Sequence, residues 1–274
     1  TFEMLVESGV FVCVNTLLAG AIMDGPRIRG VIAESRSGRE VFYAKCFVDC
    51  TAYGDLAAFA GAKFTEPNDY PVVNSIGIAN VSVEKLHDFL VKHDALTERA
   101  EGIRSGKDGQ IVRIEGTAAK LPGDFAKEAD KIGMSMVTTT VHDDYFMFIK
   151  INFKMPVSPT NRDEVAKAEL ELRKRQYRAI ELFRQYVPGC EKAFIARTSP
   201  KLNIRRGRLI ACDYDITLND VLEARHFDDD VMAYGFHDSA PRFQVKNGST
   251  YGVPYKAQRV KGIENLLACG MMIT

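Results

Sequence analysis

Residues 47–62 read FVDCTAYGDLAAFAGA, a stretch that predicts a strand, a turn and a helix in direct succession. The first residues are apolar except for Asp49, as expected of a short strand buried on both faces in a parallel or mixed sheet. Gly54 permits a positive φ or a close backbone approach, and Asp55 is suited to cap a helix beginning at Leu56. We therefore expect a buried strand whose carboxyl end opens into a glycine turn.

A turn of this kind can hold a ligand as well as connect two elements. Helix N-termini carry unpaired N–H groups and a partial positive charge, so the turn at residues 51–55 can host anionic or polar groups of a nucleotide. The other interpretation is an ordinary capped connection without a ligand, and the local chemistry alone favours it.

The residues before this stretch predict a small antiparallel meander. Successive β-type runs between residues 10 and 50 are separated by D-G-P at 24–26 and S-G-R at 37–39, which are both strong turn signals. The meander leads directly into the strand that begins at Phe47.

The middle of the chain mixes helical and extended patterns. Residues 83–100 are expected to form a helix capped by Ser82, and the segment that follows, through residue 110, is expected to be a loop. The clearest helical pattern spans 158–189, where Asn161 or Thr160 is the expected cap and Pro188-Gly189 the end.

Composition excludes several functional classes. Basic and acidic residues number 36 each, so no net field attracts nucleic acid or an anionic membrane. No apolar run approaches the roughly 18 to 20 residues of a membrane span, and the first residues resemble no signal or transit peptide. We expect a cytoplasmic protein that acts on a small molecule, without nucleic acid or membrane span, and a homo-oligomer is left open.

The six cysteines contain no C-x-x-C pair, which predicts reduced, buried residues rather than a metal site. Cys46 and Cys50 would need two further ligands, and strand geometry does not hold two such residues tightly together. We therefore predict no metal.

Three segments carry a family resemblance. The quoted stretch resembles D-A-T-G-D-G-D-x-A-A-x-A-G-A of FAD-dependent oxidoreductases with the glutathione-reductase-type flavin fold. LNIRRGRLIACDYDITLNDV (202–221) resembles the family's R-E-S-R-R-I-x-G-x-Y-x-L-T-x-x-D-V, and VPYKAQRVKGIENLLACG (253–270) resembles I-P-Y-R-S-L-x-P-K-G-I-E-N-L-L-V-A-G. The three occur in the family's order across almost the whole chain.

The resemblance implies which residues contact FAD. In the family, an N-T-x-V segment and the A-T-G turn pass the adenosine, and the L-L-V-A-G strand leads toward the flavin and its pyrophosphate. Carried over to this sequence, the implied cofactor-binding residues are Thr16, Leu18, Cys50, Thr51, Ala52, Gly54, Asp55 and Gly270.

Departures from the family pattern weaken the expectation that this chain binds FAD by itself. Ala52 replaces a glycine, which is tolerable where φ is negative, and Arg206 replaces a glutamate. No G-x-G-x-x-G follows an early strand, so the unit that places a helix N-terminus against the FAD pyrophosphate is not present in this sequence. We expect an internal portion of a flavoenzyme that binds FAD weakly or not at all alone.

The candidate catalytic residues are Arg205, Arg208 and His237. Arginine forks suit a carboxylate substrate or the negative charge of a reduced flavin, and surface or interface arginines are the alternative. His237-Asp238 resembles the family's I-D-I-H-D-P segment, and a histidine beside an acid can act as general acid or base; a structural histidine is the alternative.

Together these patterns predict a mixed α/β fold. A partial FAD-binding domain with a β-meander is expected from residues 1–64 and 246–274, and an inserted substrate or cap domain from residues 65–245. The expected function is FAD-dependent oxidation or reduction of a small organic molecule. A non-enzymatic binding module that has lost the flavin is the alternative, and the absence of G-x-S-x-G and P-loop motifs disfavours a hydrolase or a phosphotransferase.

Overall fold

Turn chemistry builds a three-stranded antiparallel meander ahead of the quoted stretch. In the computed structural model, β1 (Leu17–Asp24), β2 (Arg27–Ser35) and β3 (Gly38–Tyr43) pair in that order. Gly25 takes φ 57° in the two-residue loop between β1 and β2, a conformation that glycine reaches without steric cost. The predicted meander is confirmed from Leu17 onward, whereas residues 10–16, which were expected to be extended, form no strand.

The structure describes residues 2–67, 72–134, 136–143, 145–153, 158–235 and 245–273. By contacts between Cα atoms the chain divides into a first unit, Thr1–Pro67 with Arg206–Thr274, and a second unit, Asn68–Arg205. The described residues 206–235 thus group with the first unit, which differs from the boundary expected at residue 245. One cause is that β12 (Leu209–Ile210) pairs with β5 (Phe64–Thr65).

The quoted stretch lies in the core of the first unit. β4 (Phe47–Asp49) pairs in parallel with β15 (Leu266–Ala268), and α2 (Asp55–Phe59) follows the turn after β4. Burying each larger aliphatic side chain of this core contributes about 1.5 to 3 kcal/mol. The core residues are Ile28, Phe47, Leu56, Ala57, Ala60, Ala62, Ile210, Cys212, Val260, Leu266, Ala268 and Met272.

The remaining elements of the first unit are short. β13 (Asp230–Tyr234) and β14 (Tyr251–Pro254) form an antiparallel pair. The others are α1 (Phe2–Glu7), α6 (Leu218–Leu222) and the 3-10 turns Lys246–Gly248 and Tyr255–Ala257.

The second unit contains a six-stranded antiparallel sheet with helices packed against it. The strand order is β11 (Phe194–Thr198), β6 (Val72–Ala79), β10 (Tyr145–Phe153), β9 (Met136–His142), β8 (Lys107–Thr117), β7 (Leu96–Arg104). Helix α5 (Arg162–Tyr186) packs on β6 and β10, α3 (Val83–Lys92) packs on β7 and β8, and α4 (Gly123–Lys131) packs on α5. A 3-10 turn spans Ala118–Lys120.

Both predicted helix caps in this unit are confirmed. The Ser82 hydroxyl accepts a hydrogen bond from the Lys85 amide at 3.3 Å, and the Asn161 side chain accepts one from the Glu164 amide at 3.3 Å. These bonds satisfy first-turn N–H groups that have no partner within the helix.

The prediction for residues 93–110 was wrong. The helix ends at Lys92, and β7 and β8 form a hairpin where a longer helix and a loop were expected. Residues of β7 alternate between half-buried and exposed, as period-two strand geometry requires. Ser105 and Gly106 take φ values of 50° and 76°, which suit the two central positions of a tight hairpin turn.

The cysteines also depart from expectation. Cys190 and Cys212 are buried, and burial is the main cause that raises their pKa values to about 12 and about 11. The other four, Cys13, Cys46, Cys50 and Cys269, are exposed.

The predicted mixed α/β fold class is confirmed. None of the helices in the described ranges is long and apolar enough to cross a membrane.

Candidate functional site

One buried carboxylate organises the turn after β4. Asp49 is 1% exposed, and its Oδ1 accepts hydrogen bonds from the Thr51 amide at 2.9 Å and the Thr51 hydroxyl at 2.7 Å. Its Oδ2 accepts a third bond from the Ala57 amide at 2.9 Å. Hydrogen bonds to a charged group contribute about 1.5 to 3 kcal/mol each, so this carboxylate fixes the path from strand to helix.

The predicted cap of α2 was wrong. The helix begins at Asp55, and the preceding Gly54 provides no side-chain bond. The Thr51 hydroxyl accepts the Asp55 amide at 2.7 Å, while Asp49 accepts the amide of Ala57. Because these two side chains already serve the first turn, the Asp55 carboxylate is left to bind elsewhere.

Two residues of the turn hold left-handed backbone conformations. Ala52 has φ 71° and Gly54 has φ 66°. The condition of a negative φ at Ala52 is therefore not met, and an L-residue in this region costs about 1 to 2 kcal/mol. A Cβ on Gly54 would lie 2.5 Å from Cδ1 of Ile210, so any side chain at this position would force Ile210 to shift.

The turn lies beside the end of the last strand. Because β4 and β15 are parallel, with Asp49 opposite Ala268, their carboxyl ends meet at the same edge. Cys50 and Gly270 are exposed at this edge, and Gly270 has φ 101° with open space where a Cβ would lie. The structure thus brings together the predicted residues 50–55 and Gly270.

The two predicted residues near β1 are placed differently. Leu18 is half-buried and packs against the core that contains Leu56 and Ala57. The Thr16 hydroxyl donates to the Val14 carbonyl at 3.0 Å. Leu18 therefore packs against the core on which the turn rests.

Arg208 is bound to the turn itself. Its side chain is 15% exposed and donates to Asp55 Oδ1 at 2.7 Å and to the Tyr53 carbonyl at 3.0 Å. Its Nε lies 3.7 Å from Glu66, and its guanidinium lies over the Phe64 ring at 5.2 Å. Arg208 therefore links the turn to Phe64 of β5.

The other two catalytic candidates are Arg205 and His237. Arg205 is the last residue of the second unit, whereas Arg208 belongs to the first. His237 lies outside the described residues. Among the residues that the structure describes, no group of three His, Cys, Asp or Glu side chains could hold a metal ion.

The second resembling segment, residues 202–221, contains another buried carboxylate, that of Asp220. Asp220 Oδ2 accepts bonds from the Tyr214 hydroxyl at 2.6 Å and from the Thr217 amide and hydroxyl, and Oδ1 accepts Arg225 at 2.9 Å. Burial opposes ionisation, but these hydrogen bonds prevail and hold the pKa of Asp220 below its usual range. Thr217 and Asp220 form a capping box at α6, so this motif is structural.

The third resembling segment joins the meander to the last strand. The Asn265 side chain accepts the Ile28 amide at 2.9 Å and donates to the carbonyls of Ile28 at 2.8 Å and Lys45 at 3.0 Å. Its own carbonyl accepts the Phe47 amide at 2.9 Å. The buried Asn265 side chain and backbone therefore connect β2, β4 and β15.

Sequence reasoning missed Asp49 as the organising residue. The signal was present, since Asp49 is the one acid in an otherwise apolar strand. A buried charge in such a position requires several hydrogen-bond partners, and the turn that follows supplies them.

A family model described as FAD dependent oxidoreductase matches residues 1–274. No curated protein matches the chain.

Similar solved structures are distant. They include a geranylgeranyl bacteriochlorophyll reductase-like protein from Thermoplasma acidophilum, at 13% identity and TM-score 0.40, covering 73% of this chain and 39% of that one. The p-nitrophenol 4-monooxygenase PnpA from Pseudomonas putida DLL-E4 has 9% identity and TM-score 0.35, covering 73% and 38%. The chain therefore spans less than half the length of either protein.

Proposed function

Because the chain belongs to the FAD dependent oxidoreductase family, we propose that it is part of a flavoenzyme that oxidises or reduces a small organic molecule. The proposal includes the position of the cofactor: the turn at residues 50–55 and Gly270 form the adenosine side of the FAD site. The observation that carries this position is the parallel pairing of β4 with β15, which places both segments at one open edge.

The residues at this edge fit an adenosine. In open α/β sheets, ligands bind in the crevice outside the carboxyl ends of the strands. Gly270 leaves open space there, and Cys50 is exposed beside it. FAD would supply the hydride chemistry when bound, while the protein supplies binding and orientation.

The predicted cofactor residues divide into two roles. Cys50, Ala52 and Gly270 border the open edge and are proposed to contact the adenosine. The Thr51 hydroxyl and the Asp55 carboxylate are occupied by Asp49, the Asp55 amide and Arg208, so both are proposed to shape the turn. Thr16, which precedes β1, and Leu18, which lies in β1, are proposed to support the same site.

Binding by this chain alone is proposed to be weak. The first-turn amides of α2 at Asp55 and Ala57 are taken by Thr51 and Asp49, and Arg208 is paired with Asp55. The sequence contains no G-x-G-x-x-G to bind the pyrophosphate. We expect a Kd for FAD of about 0.1 to 1 mM, equivalent to about 4 to 5.5 kcal/mol.

The substrate side is proposed to involve Arg205 and His237. Arg205 would bind a carboxylate or a developing negative charge, and His237 would exchange a proton with the substrate. Arg208 is proposed to act through Asp55 as a positioning residue, because the two hydrogen bonds that its guanidinium donates both end within the turn.

The test is a fluorescence titration of FAD with the purified chain, followed by a substrate screen that watches bleaching of the flavin absorbance band. Quenching that saturates with a Kd near the expected range, and bleaching by a small organic donor, support the proposal. A chain that purifies with stoichiometric flavin contradicts weak binding. No saturable quenching, together with no bleaching by any donor, favours a binding module that has kept the fold and lost the flavin.

A further inference from the structure

Two thiols lie side by side at the open edge. Cys50 follows the last residue of β4, and Cys269 follows the last residue of β15. Asp49 pairs with Ala268, and the Cys269 amide donates to the Asp49 carbonyl at 2.9 Å, which continues the parallel ladder and sets Cys269 opposite Cys50. Neighbouring strands lie about 4.7 to 4.9 Å apart. A disulfide spans Cα separations of about 4.4 to 6.8 Å, so the spacing of two paired strands is compatible with a bridge between these cysteines.

The two side chains are also neighbours. Burial, the adjacent Cys269 thiol and the Asp49 carboxylate together raise the pKa of Cys50. Both cysteines are exposed, so a small reagent in solution can reach them. The pair therefore combines proximity with access to reagents in solution.

We infer that Cys50 and Cys269 form a dithiol site that low-molecular-weight disulfides oxidise to an intramolecular disulfide. One thiolate attacks the reagent, R–S–S–R, forming a mixed disulfide and releasing one thiolate, RS⁻. The second protein thiol loses its proton to solvent and attacks the mixed disulfide at the protein sulfur, releasing the second RS⁻. The protein pair loses two electrons and the reagent gains them, yielding two R–SH.

Strand pairing makes the second step intramolecular. Cys50 and Cys269 are far apart in sequence, but the β4–β15 ladder already holds them together in the reduced protein. A mixed disulfide at either cysteine is therefore resolved by its neighbour. This inference does not depend on flavin binding, and its failure would leave the proposed function untouched.

The experiment removes the other exposed thiols and follows the pair by mass spectrometry. The full chain carrying Cys13→Ser and Cys46→Ser is incubated with oxidised glutathione, alkylated and digested. We expect a chain lighter by two hydrogens, a cross-linked peptide joining Cys50 to Cys269, and no retained glutathione. Oxidation should accelerate as pH rises from 7 to 9, because the thiolate is the nucleophile.

Single substitutions provide matched controls. Cys50→Ser or Cys269→Ser in the same background should each retain one glutathione, because the resolving thiol is gone. Two glutathiones on the parent chain, a bridge to another cysteine, or a disulfide between two chains would overturn the inference. The peptide map of the unsubstituted chain applies the same criterion if a substituted chain fails to fold.

Discussion

The Arg208 guanidinium donates to the Asp55 carboxylate at 2.7 Å across 153 residues of sequence, and it joins the segment before β12 to the first residue of α2. The same nitrogen donates to the Tyr53 carbonyl, so one side chain holds both a charged and a backbone group of the turn. Arg208 and Asp49 therefore both stabilise the turn that is proposed to bind adenosine.

Replacing Arg208 is expected to loosen the turn. Arg208→Ala should lower the free energy of unfolding by about 1 to 3 kcal/mol, because it removes a charge-assisted bond to a partly buried carboxylate. Urea denaturation measures the change. Arg29→Ala is the matched control, since its pair with Asp24 is exposed and should contribute about 0 to 1 kcal/mol. An unchanged stability with lost substrate turnover would instead assign Arg208 a direct role in the reaction.

Removing one acceptor oxygen from Asp49 is expected to lower the free energy of unfolding more than Arg208→Ala does. In Asp49→Asn, an NH₂ group replaces one oxygen and faces either the Ala57 amide or the Thr51 donors. A buried donor without an acceptor costs about 1 to 3 kcal/mol, in addition to the lost charged bond. We expect a loss of about 2 to 4 kcal/mol in urea denaturation. Asp24→Asn, at an exposed carboxylate, should change stability far less.

Gly54 tests the packing of the turn on the core. Gly54→Ala combines an unfavourable φ with a Cβ 2.5 Å from Ile210, whereas Gly61→Ala meets only an unfavourable φ, with no atom within 4 Å. The second variant should lose about 1 kcal/mol, and the first should lose about 1 to 3 kcal/mol more through overpacking. Thermal unfolding of both variants gives the difference. Equal losses would show that Ile210 moves aside at no cost.

Asp220 predicts a dependence of stability on pH. Its pKa is lower in the folded than in the unfolded chain, so its ionised form stabilises the fold above the unfolded pKa of about 3.9. That contribution is lost as the pH falls from about 4 toward the lower folded pKa. The stability difference between the natural chain and Asp220→Asn should therefore shrink across this window. A difference that stays constant from pH 6 to pH 2 would contradict the prediction.

Local patterns predicted the elements whose partners lie nearby in sequence. Gly25 set the turn of the meander, and Ser82 and Asn161 each bind an amide three residues away. The hairpin of β7 and β8 was missed because LTERAEGIR carries charges at several positions, which weakens the apolar alternation that marks a strand.

Long-range contacts in the site could not be predicted in this way. The sequence shows that Asp55 follows a glycine at a helix start, which favours a cap, but it does not show that Thr51 and Asp49 already satisfy the first turn. Nor does any local pattern place Arg208 against Asp55 or Cys269 beside Cys50, because those contacts follow from the parallel pairing of β4 with β15 and the packing around it.

The central claim, that residues 50–55 and Gly270 form the adenosine side of an FAD site, is tested most directly by hydrogen–deuterium exchange with mass spectrometry. The chain is compared alone and with millimolar FAD, ADP or riboflavin, which lacks the adenosine. We expect FAD and ADP both to slow amide exchange in peptides covering residues 50–55 and 266–271, and riboflavin to leave it unchanged. Protection of these peptides by riboflavin but not ADP, or unchanged exchange in them with all three ligands, would contradict it.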